Sequence, residues 1–489
     1  MEHKVKDLRS ALELLQTMPG QLVETHREVD PHAELAGVYR YVGAGGTVQR
    51  PTREGPAMLF HTIKGHPGAK VAIGALASRK RVAALLGSRP EDLGKLLYHS
   101  AEKPIPPVTV QGEAPCQQVV HRAEDPDFDL YKLVPAPTNT PDDAGPYITL
   151  GMCYATHPET GAHDVTIHRL CIQGKDELSI FFTPGARHIG AMAEAAERLG
   201  KPLPISISIG VDPAIEIGSC FEPPTTPLGY DELSVAGALR GEPVELCPCV
   251  TIPEKAIANA EYVIEGEVLP HVRVKEDQNS HTGYAMPEFP GYTGPASDQC
   301  WLIKVKAVSH RRDPIMQTCI GPSEEHVSMA GIPTEASIYG MVDKAYQRMH
   351  LFAPECYYHG ESRNGYDLHS APIFMPNQVG GYMPGEPGEP AVLEGKPNTI
   401  FAALEHGYVV AAPAILGGSG EAQCHLFRAE PPRPQRRSFV PCPGETGRRG
   451  ARAERGVHRR RPCGQHHARP AGVVIAAGAA AGRTSSGKI

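Results

Sequence analysis

The chain has 489 residues, 41% of them apolar, and a formal net charge of −7 at pH 7, which is too long for one hydrophobic core and predicts two or three domains. The acidic balance excludes general affinity for nucleic acid or an anionic membrane surface. No run approaches the roughly 20 apolar residues of a membrane helix, and Met1-Glu-His-Lys-Val-Lys6 leads into no apolar signal core, so a cytoplasmic protein without a membrane or nucleic-acid partner is expected.

Residues 6–18 carry apolar positions at helical spacing, and Pro19-Gly20 stops that helix. Glu24 to Pro31 reads as a strand running into a turn. Pro56-Ala-Met-Leu-Phe-His-Thr-Ile63 and Val71-Ala-Ile-Gly-Ala-Leu76 read as buried strands, with a helix from Arg79 to Leu86. This is an α/β start that ends near the proline-rich Pro104-Ile-Pro-Pro107.

From about 116 to 330 strand signals dominate. Tyr147 to Thr156 and Asp164 to Ile172 flank a hairpin loop, His157-Pro-Glu-Thr-Gly-Ala162. Glu177-Leu-Ser-Ile-Phe-Phe182 follows, then a helix from Ile189 to Leu199 closed by Gly200. Ile205-Ser-Ile-Ser-Ile-Gly210 and Trp301 to Val308 alternate as strands do. Many strands and few helices predict a barrel or a sandwich. From Ser328 the chain reads as helix and loop. After about 428 it becomes basic and loses amphipathic period, which predicts a disordered tail with the composition of a GC-rich frame read out of phase. The 12 cysteines are scattered rather than arranged as a disulfide framework, and Cys247-Pro-Cys249 is too tight for a usual zinc pair.

The strongest chemical signal lies in Arg273 to Tyr292, where Glu276 and Glu288 sit in a loop rich in Gly, Pro and aromatics. A carboxylate in such surroundings loses water, and its pKa rises toward the range useful for moving protons. Upstream, Asp164-Val-Thr-Ile-His-Arg169 offers an acidic ligand and an arginine able to hold a carboxylate substrate. On a strand those two side chains, five positions apart, point to opposite faces. Together the segments point to chemistry on a carboxylic acid.

Several stretches in order resemble the UbiD-like decarboxylases, which use prenylated FMN. They are Glu28-Val-Asp-Pro31, Gly55-Pro-Ala-Met-Leu-Phe60, Gly145-Pro-Tyr-Ile-Thr149, Asp231-Glu-Leu-Ser-Val-Ala-Gly-Ala-Leu-Arg-Gly-Glu-Pro-Val-Glu245 and Pro287-Glu-Phe-Pro-Gly-Tyr292. Glu276-Asp-Gln-Asn279 through Tyr292 is most similar to the branch acting on hydroxybenzoates such as protocatechuate and gallate. The resemblance covers about residues 6–335. It implies a multidomain α/β (α+β) protein with an N-terminal α/β domain (1–115), a central split β-barrel binding prenyl-FMN and metal (116–330), a C-terminal α/β oligomerisation domain (331–427) and a divergent basic tail (428–489).

The resemblance also implies roles. Asp164, His188 and Glu232 match the ligands of a divalent ion, Mn²⁺ or Mg²⁺, and asparagine stands in many relatives where this chain has Asp164. A potassium ion can lie nearby. Arg169, Glu276 and Glu288 match a Glu–Arg–Glu network in which Glu288 delivers a proton to carbon after CO₂ leaves. The segment between the two glutamates is longer than in many relatives, so Asp277 competes with Glu276 for Arg169. Ile167, His168, Arg169, Arg187, Gly218, Ser219 and Cys220 match flavin contacts, and backbone N–H groups at Gly218-Ser219 are expected to approach an anion. His281, His310 and His326 are open candidates to meet a phenolic hydroxyl. The implied activity is reversible, non-oxidative decarboxylation of an aromatic or α,β-unsaturated acid. A phenolic acid is favoured by the loop, and a polyketide-type acid yielding a terminal alkene (as in the tautomycetin pathway) by the composition of the tail. A flavin prenyltransferase would supply the cofactor, and a homodimer or higher homo-oligomer is expected. The alternative, motivated by the altered C-terminus, is an inactive flavin-binding or assembly subunit.

Overall fold

Leu8, Ala11, Leu12 and Leu15 bury one face of the first helix, α1 (Leu8–Thr17), and Asp7 caps it by accepting from Ser10 N–H at 2.9 Å. This computed structural model describes residues 5–43, 55–182, 188–221, 225–288, 293–321, 323–352, 399–403, 408–413 and 425–428, with side chains up to residue 340. After α1 come β1 (Leu22–Val29), α2 (Glu34–Val42), β2 (Ala57–Ile63), β3 (Lys70–Ile73), α3 (Arg79–Leu85) and α4 (Leu93–Glu102). β1 lies parallel to β2, β2 antiparallel to β3, and a fourth strand from Ile315–Thr318 lies parallel to β3. The α/β start expected for residues 1–115 is therefore completed by a segment some two hundred positions further on. Helices α2 and α4 escaped the sequence reading.

Short segments β4 (Val108–Thr109), β5 (Val119–Arg122) and α5 (Leu130–Leu133) lead into the central region. Its elements are β6 (Tyr147–Thr156), β7 (His163–Gly174), β8 (Glu177–Ile180), α6 (His188–Arg198), β9 (Leu203–Ile209), α7 (Pro213–Gly218), α8 (Glu232–Arg240), β10 (Glu245–Pro248), β11 (Lys255–Ile257), β12 (Tyr262–Val274), β13 (Tyr284–Pro287), β14 (Thr293–Pro295) and β15 (Cys300–His310). Strands β12, β9, β6, β7, β8 and β15 follow one another in antiparallel pairs, and β12 pairs with β15 to close the ring. Closure leaves no free edge among the six strands. The barrel-or-sandwich alternative thus resolves to a closed barrel.

The barrel interior is filled by alternate residues, among them Leu203, Ile205, Ile207 and Ile209 of β9, Leu170 and Ile172 of β7, and Ile303 and Val305 of β15. Helix α6 packs against β6, β7, β9 and β12, with Ile189, Met192 and Ala193 in the same core. The serines that alternate with the isoleucines of β9 do not face water. Ser206 Oγ donates to Lys255 O at 2.6 Å, and Ser208 Oγ accepts from Ile257 N–H at 3.2 Å. A second layer, β10 and β11, covers that face, so the hydroxyls satisfy its backbone.

Two helices absent from the sequence reading carry clear caps. Asp212 accepts from Ala214 N–H at 2.8 Å and precedes Pro213, opening α7. Asp231 accepts from Leu233 N–H at 3.0 Å, and Gly241 at φ +74° closes α8. Strand β12 was also unread: its pairing with β15 shifts between Val268 and Arg273, where Pro270 and a left-handed His271 interrupt the alternation.

The barrel leads through β16, the Ile315–Thr318 strand already described, into α9 (Glu324–Phe352). Further on, β17 (Thr399–Ala403), β18 (Tyr408–Pro413) and β19 (His425–Arg428) form an antiparallel sheet. Most of the expected 331–427 domain, and the tail after Arg428, lie outside the described residues. Among the described residues no helix is long and apolar enough to cross a membrane. Cys247 Sγ lies 3.6 Å from Cys116 Sγ, inside the core.

Candidate active site

Strand β7 carries both halves of the site. Ala155 pairs with Asp164 and Cys153 with Thr166, and those β6 partners belong to the barrel core. Val165 and Ile167 pair with Tyr154 and Met152 and pack in the clusters outside the barrel. The expectation that Asp164 and Arg169 face opposite ways holds. A bulge in β6, where Thr149 and Leu150 stand against Arg169 alone, marks the place where the arginine leaves the sheet.

On the outer face Arg169 is clamped between two carboxylates. Nε donates to Glu276 Oε1 at 3.0 Å and Nη2 to Glu276 Oε2 at 3.1 Å, while Nη1 donates to Glu288 Oε1 at 2.7 Å. The bidentate side uses the planar fork that distinguishes arginine from lysine. Glu276 is also held by Tyr147 OH at 3.0 Å and Ser297 N–H at 3.1 Å, and its own carbonyl accepts from Gln173 Nε2 at 2.7 Å. The competition with Asp277 is decided in favour of Glu276. Asp277 instead accepts from Gly283 N–H at 2.9 Å and its carbonyl caps the turn through Ser280 and His281 N–H. Tyr147, Gln173 and Ser297 were not singled out in the sequence, although Tyr147 lies within one of the quoted motifs.

The two glutamates differ in access. The side chain of Glu276 is 2% exposed and that of Glu288 23%, so Glu288 is the one open to a ligand. Burial pushes the Glu288 carboxyl above its ordinary value; Arg169 pulls it back and Glu276 pushes it further up. Burial opposes the charge on Arg169, but Glu276 and Glu288 outweigh it and its pKa stands above the usual value. Burial also raises the Tyr147 phenol, which therefore remains a donor. A Cβ on Gly321 would lie 2.6 Å from the Glu288 carbonyl carbon, so only glycine lets this loop settle there.

On the other face Asp164, His188 at the start of α6 and Glu232 at the start of α8 offer ligand atoms that all lie within 4.8 Å of one another. His188 Nδ1 is 3.1 Å from Asp164 Oδ2. Asp164 Oδ1 and Glu232 Oε2 are buried with no hydrogen-bond partner. Burial, and then Asp164, push the Glu232 carboxyl far up. Two buried carboxylates this close do not both ionise unless a cation joins them. The donor set, two carboxylates and one imidazole, suits a hard divalent ion such as Mn²⁺ or Mg²⁺.

The residues matched to flavin contacts are dispersed around β7 and α7. Ile167 packs on the outer face near Arg169. His168 faces inward, edge-on to Phe182 with ring centroids 5.1 Å apart. Gly218 ends α7, where a Cβ would sit 3.3 Å from Ala236 N of α8. The expected anion contact at Gly218-Ser219 is corrected by the helix itself: Ser219 N–H bonds Ile215 O at 2.9 Å and Cys220 N–H bonds Ile217 O at 3.3 Å. A helix C-terminus is moreover the wrong end for an anion. Ser219 Oγ and Cys220 Sγ both turn back to Glu216 O. Arg187 lies outside the described residues. Of the three histidines, His281 caps an exposed turn at φ +53°. His310 faces His121 and Tyr262, and His326 is half-buried, with desolvation disfavouring its charged form and lowering its pKa to about 4.

Comparison with known proteins gives the lineage. Residues 108–324 match the 3-octaprenyl-4-hydroxybenzoate carboxy-lyase Rift-related domain, and residues 13–99 the N-terminal domain of the same enzymes. Gallate decarboxylase of Lactiplantibacillus plantarum is 55% identical over 340 residues, 69% of each chain. The apo structure of a 3,4-dihydroxybenzoic acid decarboxylase from Enterobacter cloacae is 57% identical, with a TM-score of 0.67 over 70% of both chains. The structure of HmfF from Pelotomaculum thermopropionicum in complex with prFMN is 35% identical, with a TM-score of 0.62 over 70% of this chain and 74% of that one.

Proposed function

The chain belongs to the UbiD family of carboxy-lyases, and on that footing we propose that it removes CO₂ from a dihydroxy- or trihydroxybenzoate, reversibly and without net oxidation, with Glu288 as proton donor. The observation that carries this reading is the single guanidinium held between a closed-off carboxylate and an accessible one whose proton affinity burial has raised. The relatives at 55% and 57% identity act on gallate and 3,4-dihydroxybenzoate by their names, which favours a phenolic acid over a polyketide acid.

Prenylated FMN, the form bound by HmfF, would supply the electron sink that lets CO₂ leave an aromatic carbon. Asp164, His188 and Glu232 would hold Mn²⁺ or Mg²⁺ against its phosphate, with potassium nearby, and Ile167, His168, Arg187, Gly218, Ser219 and Cys220 would surround it. The remaining work belongs to side chains. Glu276 locks the Nε–Nη2 edge of Arg169, so the guanidinium is oriented before substrate arrives. Its remaining N–H groups meet the substrate carboxylate. Glu288, its proton affinity raised above the ordinary carboxylate value by burial, gives its proton to the carbon from which CO₂ departs and recovers one from solvent through its exposed edge. In the carboxylation direction the ionised Glu288 takes that proton. Region 116–330 would be the flavin- and metal-binding domain, and the C-terminal region would carry homo-oligomer contacts.

The test is a turnover panel of 3,4-dihydroxybenzoate, gallate, cinnamate and a long dienoic acid, on protein co-expressed with a flavin prenyltransferase. CO₂ release from the first two alone is expected. Turnover of only the dienoic acid would overturn the substrate class. A sample that holds flavin and metal yet turns over none would identify an inactive flavin-binding subunit.

A further inference from the structure

Glu276 has its full complement of donors. Oε1 accepts from Arg169 Nε and from Tyr147 OH, both at 3.0 Å, and Oε2 from Arg169 Nη2 and Ser297 N–H, both at 3.1 Å. Tyr147 is fully buried, stands at the start of β6, and makes this bond across 129 positions of sequence. We infer that Tyr147 is a positioning residue for the proton donor: its phenol fixes Glu276 in the orientation that takes the Nε–Nη2 edge of Arg169 and leaves Nη1 for Glu288, and so governs when Glu288 carries its proton. The inference rests on the proposed decarboxylase reading.

The groups that act on Glu288 are Arg169 from β7, Glu276 from the loop after β12 and, through Glu276, Tyr147 from β6. The thiols of Cys171 and Cys300 stand near Glu276 and burial keeps them protonated, so they add no charge. Removing the phenolic hydrogen bond leaves the charge on Glu276 less compensated. Glu276 then draws Arg169 toward itself and repels a charged Glu288 more strongly. Both effects favour the protonated form of Glu288. A better phenolic donor acts in the opposite sense.

The experiment measures kcat against pH for 3,4-dihydroxybenzoate decarboxylation by flavin-loaded holoenzyme in the wild type, Tyr147→Phe, and protein with 3-fluorotyrosine, a stronger donor of the same shape, installed at 147. Decarboxylation falls as pH rises through the Glu288 titration. That limb is expected to move up by about half a unit or more in Tyr147→Phe and down with fluorotyrosine, while flavin absorbance and metal content stay unchanged. A merely structural role would lower kcat at every pH without moving the limb. A limb at the wild-type position in both variants, or moved the same way in both, overturns the inference. If Tyr147→Phe does not fold, the direction of the fluorotyrosine shift decides alone. Titration of ¹³C-labelled glutamate carboxyls by NMR reads the same shifts without turnover. Wild-type inactivity on every acid would therefore sink the proposed function, whereas unshifted glutamate titration would sink the role of Tyr147.

Discussion

The two ends of β7 differ in what they lack. Around Arg169 the hydrogen bonds close: Glu276 accepts at both oxygens from Arg169, Tyr147 and Ser297, and Glu288 accepts from Nη1. Around Asp164 the balance is open, with two buried carboxylates, one imidazole and two oxygens without partners. Five residues of one strand thus separate a finished network from one whose buried oxygens lack partners. A preorganised group gains nothing from waiting, because its reorganisation would otherwise fall within the reaction. A metal site, by contrast, becomes favourable only when the ion arrives.

The sharpest way to break this contrast is Arg169→Ala. It removes the centre of the finished end, so turnover is expected to disappear, and stability to fall by about 3–5 kcal/mol because Glu276 is left charged and buried. Chemical denaturation beside a CO₂-release assay reads both effects, and retained turnover would refute the network. Glu288→Gln comes next. It keeps the shape but cannot transfer a proton, so kcat should drop by roughly 10²–10⁴-fold with flavin absorbance and metal content preserved. Normal turnover would remove Glu288 from its role.

At the open end, His188→Ala takes away one of the three proposed ligands. Metal content by elemental analysis and flavin retention after gel filtration should fall together, while Arg169 and its glutamates stay folded. Undiminished metal loading would exclude His188 from the ligand set. The smallest effect concerns a carboxyl outside both ends. Glu325, at the start of α9, accepts from Gly74 and Leu76 N–H groups, both at 2.9 Å, and burial raises its pKa to about 7. Its folded-state value lies above its unfolded one, so the native state binds the extra proton. That contribution is complete below about pH 4.5 and is lost as pH rises through 7. Glu325→Gln should flatten the fall in stability across that window by about 1–3 kcal/mol, read as the change in unfolding midpoint between its ends. An unchanged slope would show that Glu325 is ionised in the fold.

Much of the fold was legible where local pattern and final environment agree. The helix near residues 8–17, the strands β2, β6, β7 and β15, and the helix that opens at His188 follow from apolar runs or periodicity bounded by turn and breaker residues. Helices α7 and α8 escaped notice although Asp212-Pro213 and Asp231 to Gly241 carry plain capping signals. They are buried nearly all round, so no amphipathic stripe advertises them. Strand β12 escaped because Gly266 and Pro270 break the alternation at the point where the barrel turns its corner.

By itself the order of residues determined the lineage, which rests on motifs readable within short windows, and it named Asp164, His188, Glu232, Arg169, Glu276 and Glu288 as candidates, while its periodicity left barrel and sandwich open. Which neighbour of the pair 276 and 277 reaches the arginine, which carboxylate Tyr147 meets, where Ser219 and Cys220 send their N–H groups, and how the side-chain atoms of residues 164, 188 and 232 come within 4.8 Å of one another were settled only when the strands closed. Such contacts join positions dozens to more than a hundred residues apart, and they depend on register across the barrel, a property of the whole ring that no local preference encodes.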